Sequence, residues 1–336
     1  MVITVENSVQ EKFVRIYTST DLKKWSFASD FGKGEGNHDG VWEVPDLFEL
    51  PIDGDVNNTK WVMQVSLSNG STAGGSGVQY FIGSFDGTTF TNDNPASTIL
   101  YADYGADYYA PITFDNIPST DGRRIAMGWM NNWSYGQSIP TSIWKSKMSI
   151  PRELTLKNVE GEGVRLVQNP VSEFESLRNT ADSWTNETVS PGNSLLSNVT
   201  GDTLEIVAEF KTDTATAKEF GFKVRTGSGD KTTIGYDMVN SKIFVDRTDS
   251  GQSNFNSTFA ARHEANMSPE NNTVTLRILV DRSSVEVFGN NGKVVITDQI
   301  FPLLQSNGLE IYSVDGDVTV NKLDIHQLNS ATITSN

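Results

Sequence analysis

Apolar positions in this chain recur every second residue, in short runs cut by Gly, Asn, Asp and Ser. Phe13-Val14-Arg15-Ile16-Tyr17, Trp61-Val62-Met63-Gln64-Val65, Val78-Gln79-Tyr80-Phe81-Ile82 and Arg124-Ile125-Ala126-Met127-Gly128 have the length and the β-branched, aromatic content of strands. No segment keeps a 3.6-residue apolar period over three turns, so helices should be few and short. The pattern predicts an all-β protein.

An internal repeat refines that expectation. Ser19-Thr20-Asp21-Leu22-Lys23-Lys24-Trp25 and Ser84-Phe85-Asp86-Gly87-Thr88-Thr89-Phe90 share a Ser, an Asp two residues on and an aromatic six on, and each reads as a turn between strands. Aligned backwards from these turns, Met1 to Val5 takes the place of Met63 to Leu67. Periodic four-stranded units of this size are the sequence form of β-propeller blades. The second unit opens with Trp42 to Leu50, and the first has no counterpart to that stretch, so its blade is expected to lack its opening strand. A third unit runs from Tyr104 through Trp129 to Leu154. Regular strands resume near Trp184, as in Leu204-Glu205-Ile206-Val207-Ala208-Glu209-Phe210 and Val274-Thr275-Leu276-Arg277-Ile278-Leu279-Val280, with Asn290-Asn291-Gly292 as a hairpin turn. The expected organisation is a partial five-bladed β-propeller of about three blades over 1–155, a linker over 156–180, and a β-sandwich over 181–336.

Composition narrows the function classes. A formal charge of −16 disfavours nucleic acid and anionic membranes, whose binding rests on Lys and Arg, and an uncharged substrate fits better. With no cysteine there can be no disulfide, thiolate zinc site or Cys nucleophile. The apolar runs are too short to span a membrane as helices, and Met1-Val2-Ile3-Thr4-Val5-Glu6 has no basic region or long apolar core of a signal peptide. Asn-x-Ser/Thr sequons beginning at Asn57, Asn69, Asn132, Asn186, Asn198, Asn256, Asn266 and Asn271 lean toward a secreted glycoprotein lineage.

Several kinds of chemistry then fall away. His38, His263 and His326 lie in no nucleophile motif. Asp53-Gly54-Asp55 with Asn57 and Asn58 misses the spacing of an EF-hand and reads as a solvated turn, and Gly70 to Gly77 lacks the Lys-Ser/Thr of a phosphate loop and reads as a hairpin loop. Neither a metal nor a cofactor is expected. Carboxylates and aromatics remain. In Trp42-Glu43-Val44-Pro45-Asp46 an ionisable carboxyl stands among apolar neighbours, a setting that disfavours the charged form and suits proton delivery. Asp107, Tyr108, Tyr109, Trp129 and Trp133 fall near strand ends of successive units, which in a propeller converge on the axis, and rings with carboxylates suit a carbohydrate.

The stretches Trp42 to Phe48, Asp107-Tyr108-Tyr109-Ala110, Gly128-Trp129-Met130-Asn131-Asn132-Trp133, Pro151-Arg152-Glu153-Leu154 and Val280 to Phe288 occur in the order found in glycoside hydrolase family 32. The chain resembles a β-fructofuranosidase of the invertase, inulinase and levanase group over nearly its whole length. That resemblance implies a five-bladed propeller followed by a sandwich, retaining hydrolysis of sucrose or fructans, and secretion of the full-length family member. It makes Glu43 the general acid/base. Asp107 and Trp133 match positions that contact the bound sugar, and Trp129 and Tyr108 join that set. Where the family usually has Cys after the acid/base, this chain has Val44. The family's nucleophile motif Trp-Met-Asn-Asp-Pro-Asn-Gly and its Arg-Asp-Pro motif do not occur. The resemblance therefore implies a chain that begins inside the third blade and is inactive alone, with a non-catalytic carbohydrate-binding protein or a fructosyltransferase as the alternatives.

Overall fold

The computed structural model describes residues 1–331. Strands dominate it, and among the described residues the helical content is one 3-10 turn, Ser172–Leu177. The chain divides into two compact units, Met1–Gly136 with Ser146–Gln168, and Gln137–Lys145 with Asn169–Asn336.

The first unit begins with an antiparallel sheet of β1 (Val2–Glu6), β2 (Lys12–Thr18) and β3 (Ser26–Phe31). A second packet holds β4 (Trp42–Ile52), β5 (Asp55–Leu67), β6 (Gly77–Phe85), β7 (Phe90–Asn92) and β8 (Leu100–Tyr101), paired in the order β4-β5-β6-β7 with β8 also on β6. A third comprises β9 (Tyr109–Thr113), β10 (Arg124–Met130), β11 (Lys147–Met148), β12 (Arg152–Val159) and β13 (Gly163–Pro170). One parallel pair, Leu156 with Ile52, links the last two packets.

The sequence repeat is visible as matching turns. Asp21 Oδ1 accepts from the backbone N–H of Lys23 at 2.9 Å and Lys24 at 2.8 Å, and Asp86 Oδ1 accepts from Thr88 at 2.8 Å and Thr89 at 2.7 Å. Each Asp closes a turn between paired strands, β2 to β3 and β6 to β7, because its short side chain satisfies backbone donors that the turn frees. Asp53 and Gly54, both at positive φ, make the two-residue turn between β4 and β5, the backbone form that matches strand twist.

Trp42 fixes the start of β4. Its ring is buried among Val14, Phe31, Met63, Val65 and Phe81, and its indole N–H donates to the Asn37 carbonyl at 2.8 Å. A second cluster joins Phe48, Val62, Val78, Tyr80, Tyr108, Leu154 and Leu166. Leu166 explains why the stretch expected as a linker, 156–180, is built instead from the end of β12, all of β13 and the 3-10 turn: its side chain completes this core.

The second unit is a pair of sheets. The strands are β14 (Arg178–Val189), β15 (Leu204–Lys211), β16 (Glu219–Gly227), β17 (Asp230–Asp237), β18 (Lys242–Asp246), β19 (Arg262–Asn266), β20 (Thr273–Asp281), β21 (Ser284–Gly289), β22 (Val294–Gln299), β23 (Gly308–Val314) and β24 (Val318–Leu328). They form a six-stranded sheet, β14-β24-β15-β20-β21-β22, and a five-stranded sheet, β19-β18-β17-β16-β23. Alternate residues such as Ile206, Ala208 and Phe210, and Phe220, Phe222 and Val224, are fully buried, the period-2 signature of a sandwich core. Asn290, Asn291 and Gly292 take positive φ between β21 and β22, as their sequence predicts.

Candidate active site

Glu43 is re-aimed by a β-bulge. The pairing of β4 with β5 slips by one residue between Glu43↔Ser66 and Asp46↔Gln64, and Val44 inside the slip takes φ 48. A β-branched residue in the left-handed region is strained, and Pro45 has no N–H for the ladder, so pairing yields there. Bulges of this kind turn a side chain next to a site.

Side chains tie β9 to this hairpin. Asp46 Oδ2 accepts from the Thr113 N–H at 2.8 Å, Ser66 Oγ accepts from the Ala110 N–H at 3.1 Å, and Gln64 Nε2 donates to the Pro111 carbonyl at 3.2 Å. Held this way, Tyr109 meets the half-buried Glu43, and its hydroxyl donates to Glu43 Oε2. Burial first, and the facing carboxylate second, push the Tyr109 phenol well above its usual range. At neutral pH it is a fixed donor.

Two tryptophans complete the cluster. The Trp129 and Trp133 rings lie 5.0 Å apart at 48°, and Tyr109 meets them edge-on at 6.1 Å and 6.3 Å. The Trp129 indole N–H donates to Ser146 Oγ. Trp133 is 56% exposed, which leaves ring surface open to a ligand. Its loop is set by Asn132, which is fully buried. Asn132 Nδ2 donates to the carbonyls of Ala106 at 2.7 Å and Gly74 at 3.1 Å, and Oδ1 accepts from the Ser134 N–H at 2.9 Å. The Gly70 to Gly77 hairpin loop thus has a structural task. A Cβ at Gly75 would lie 2.2 Å from Asn132 Oδ1, so only glycine lets the two loops meet.

Of the residues expected to contact sugar, Trp133 and Trp129 stand beside Glu43's partner Tyr109. Asp107 is fully buried and accepts from the Tyr135 hydroxyl at 2.8 Å. Tyr108 requires a correction. Its ring belongs to the core, 4.0 Å beneath the Arg152 guanidinium, and Arg152 in turn pairs with Asp103 at 2.9 Å. Gly128 leaves room for that ring, since a Cβ there would lie 2.7 Å from it. Tyr109, grouped with the other aromatics but not carried into the sugar-contacting set, is the one that reaches Glu43. Alternation along the strand was the available signal, because neighbours in an extended chain face opposite ways. The sequence offers Asn132 as a sequon and within the Gly128 to Trp133 motif, and its burial closes it to modification in the folded chain.

The N-terminal domain model of glycosyl hydrolases family 32 matches residues 1–170, and the family's C-terminal model matches residues 173–327. The chain belongs to glycosyl hydrolase family 32. It is 55% identical over 317 residues to a levanase of Bacillus subtilis, covering 94% of this chain and 47% of that protein. It is 40% identical over 327 residues to an extracellular exo-inulinase of Aspergillus niger, covering 94% of this chain and 60% of that protein. This family 32 chain therefore spans about half the length of the curated relatives it matches. The crystal structure of an exo-inulinase from Aspergillus awamori superposes with a TM-score of 0.86 at 35% identity, over 98% of this chain and 67% of that one. The fold is that of the family 32 enzymes, propeller strands followed by a sandwich. Among the described residues no cluster of three or more His, Cys, Asp or Glu side chains offers a metal site, and no helix is long and apolar enough to cross a membrane.

Proposed function

We propose that this chain carries the acid/base half of a retaining β-fructofuranosidase site, acting on terminal fructosyl units of sucrose or fructans. The observation behind this reading is the Glu43–Tyr109 hydrogen bond beside the exposed Trp133. Tyr109 engages Oε2, so Oε1 is the oxygen left to carry a proton to the leaving group. As the glycosidic C–O bond breaks, its oxygen takes that proton while a second carboxylate bonds to the fructosyl carbon. Water then replaces that carboxylate and gives its proton back to Glu43. Trp133, with Trp129 behind it, receives the apolar face of the sugar, and Asp107, which accepts from Tyr135, stands as a further sugar-contacting residue.

The family's two Asp motifs are missing from this sequence, so turnover by the chain alone is expected to be several orders of magnitude below that of a complete site. The extracellular description of the exo-inulinases supports a secreted setting. The test is fructose release from sucrose, inulin and levan by the purified chain, alongside calorimetric binding of a fructose-terminated oligosaccharide. Trace turnover with binding that depends on Trp133 is the expected result. Rapid turnover abolished by Glu43→Gln would show that a nucleophile is present after all. Absence of any Trp133-dependent binding would refute the site.

A further inference from the structure

We propose that the outer face of the five-stranded sheet in the sandwich carries a separate carbohydrate site, a trough that takes one or two uncharged sugar units. It lies on the sandwich alone and does not depend on the Glu43 reading. Its basis is one row of cross-strand neighbours, Tyr312, Gly221, Gly235 and Phe244. The two central positions have no side chain, and the flanking rings lie down over them to form a closed floor: a Cβ at Gly235 would lie 2.5 Å from Tyr312 Oη and 2.9 Å from Phe244 Cζ, and both rings are buried. The cavity above has a volume of about 480 Å³, within the range of small-ligand sites.

The charges around it identify the ligand class. Glu219, Asp246 and Asp249 face Lys223, Lys231 and Arg262, so the lining is neutral in sum. These groups are already held in place: Arg262 pairs with Glu219 at 3.2 Å, Lys231 with Asp249 at 3.2 Å, and Lys223 with Glu310 at 3.0 Å. The Tyr312 hydroxyl donates to Glu219 at 2.9 Å, and burial with that carboxylate keeps the phenol protonated. Arg262 stacks on Phe244, its guanidinium 3.4 Å from the ring centre. An anion entering here meets three carboxylates, and an apolar ligand would strip water from paired charges without replacing its hydrogen bonds. Sugar hydroxyls both donate and accept, so they can bridge the ion pairs.

Amide NMR spectra of the full chain, titrated separately with an inulin-type tetrasaccharide, maltotetraose and inorganic phosphate, test this. The expected result is saturable shifts at 219–223, 231–235 and 244–249 with at least one sugar. Thr233→Trp, which fills the trough between Lys223 and Asp246, should weaken them about tenfold or more. Trp133→Ala should leave them unchanged. Should Thr233→Trp fail to fold, the exposed pair Lys231→Ala with Asp249→Ala serves in its place. The proposal is overturned if no sugar shifts these amides, if the trough variants leave the shifts intact, if Trp133→Ala abolishes them, or if phosphate perturbs them more strongly than either sugar.

Discussion

The junction between Asn132 and Gly75 is the sharpest test of how the candidate site is held. In Asn132→Ala five hydrogen bonds vanish, to Ala106 O, Gly74 O and Ser76 O and from Ser134 N and Ser76 N. Gly74 and Ser134 are exposed and can regain water, whereas Ser76 is buried and its N–H keeps the full penalty. At about 1–3 kcal/mol for a buried partner left unpaired, and less for the exposed ones, the variant should lose about 2–4 kcal/mol. Gly75→Ala fails for a different reason. Its φ of 68 disfavours any Cβ by about 1 kcal/mol, and that Cβ would sit 2.2 Å from Asn132 Oδ1 and 2.4 Å from Ser134 Oγ. The clash adds about 1–3 kcal/mol. In the double variant the shorter clash is gone, so the combined loss should fall short of the sum by about 1–2 kcal/mol. Urea unfolding followed by circular dichroism measures all four corners of the cycle. Additivity within about 0.5 kcal/mol, or a single Asn132→Ala loss below about 1 kcal/mol, would refute the reasoning.

Further outcomes follow from the same geometry. Tyr108→Ala should cost about 3–5 kcal/mol in stability as a core deletion, while Tyr109→Phe should cost only about 0.5–1.5 kcal/mol; thermal melts that rank them the other way would place the two rings wrongly. Trp133→Ala should leave the melting temperature within about 2 °C of the parent, because the ring is exposed, yet weaken oligosaccharide binding about tenfold, read by calorimetry. Burial opposes ionisation of Glu205, but the Arg178 and Arg277 guanidiniums, at 2.5 Å and 2.6 Å, outweigh it and hold its pKa below the usual range. That stabilisation is present above the unfolded value of about 4.3 and is lost as pH falls through the lower folded value. Glu205→Gln should therefore lose about 2–4 kcal/mol at pH 7 and progressively less toward pH 3; a loss that does not change with pH would count against the pairing.

Much of the chain could be read before its structure. The alternation in Phe13 to Tyr17 and Leu204 to Phe210, the paired Asp turns, and the Asn290-Asn291-Gly292 hairpin are local signals, set by which side chains suit a pleated surface and which tolerate positive φ. The motif order likewise marked the chain as one of family 32. What escaped were contacts between residues far apart in sequence. Nothing local says that Leu166 completes a core begun at Phe48, and so turns an expected linker into a strand. Nor does it say that Asn132 in a sequon bonds to Ala106 and Gly74.

The sequence by itself thus determined an all-β chain of family 32 with Glu43 set among apolar neighbours, because strand period, turn chemistry and motif order are properties of neighbours along the chain. Only the tertiary structure decided which tyrosine serves that carboxylate. The bulge at Val44 and the three side-chain bonds to β9 set the facing of Tyr109, and the Arg152–Asp103 pair draws Tyr108 into the core. On a strand, one residue of parity separates a site from a core.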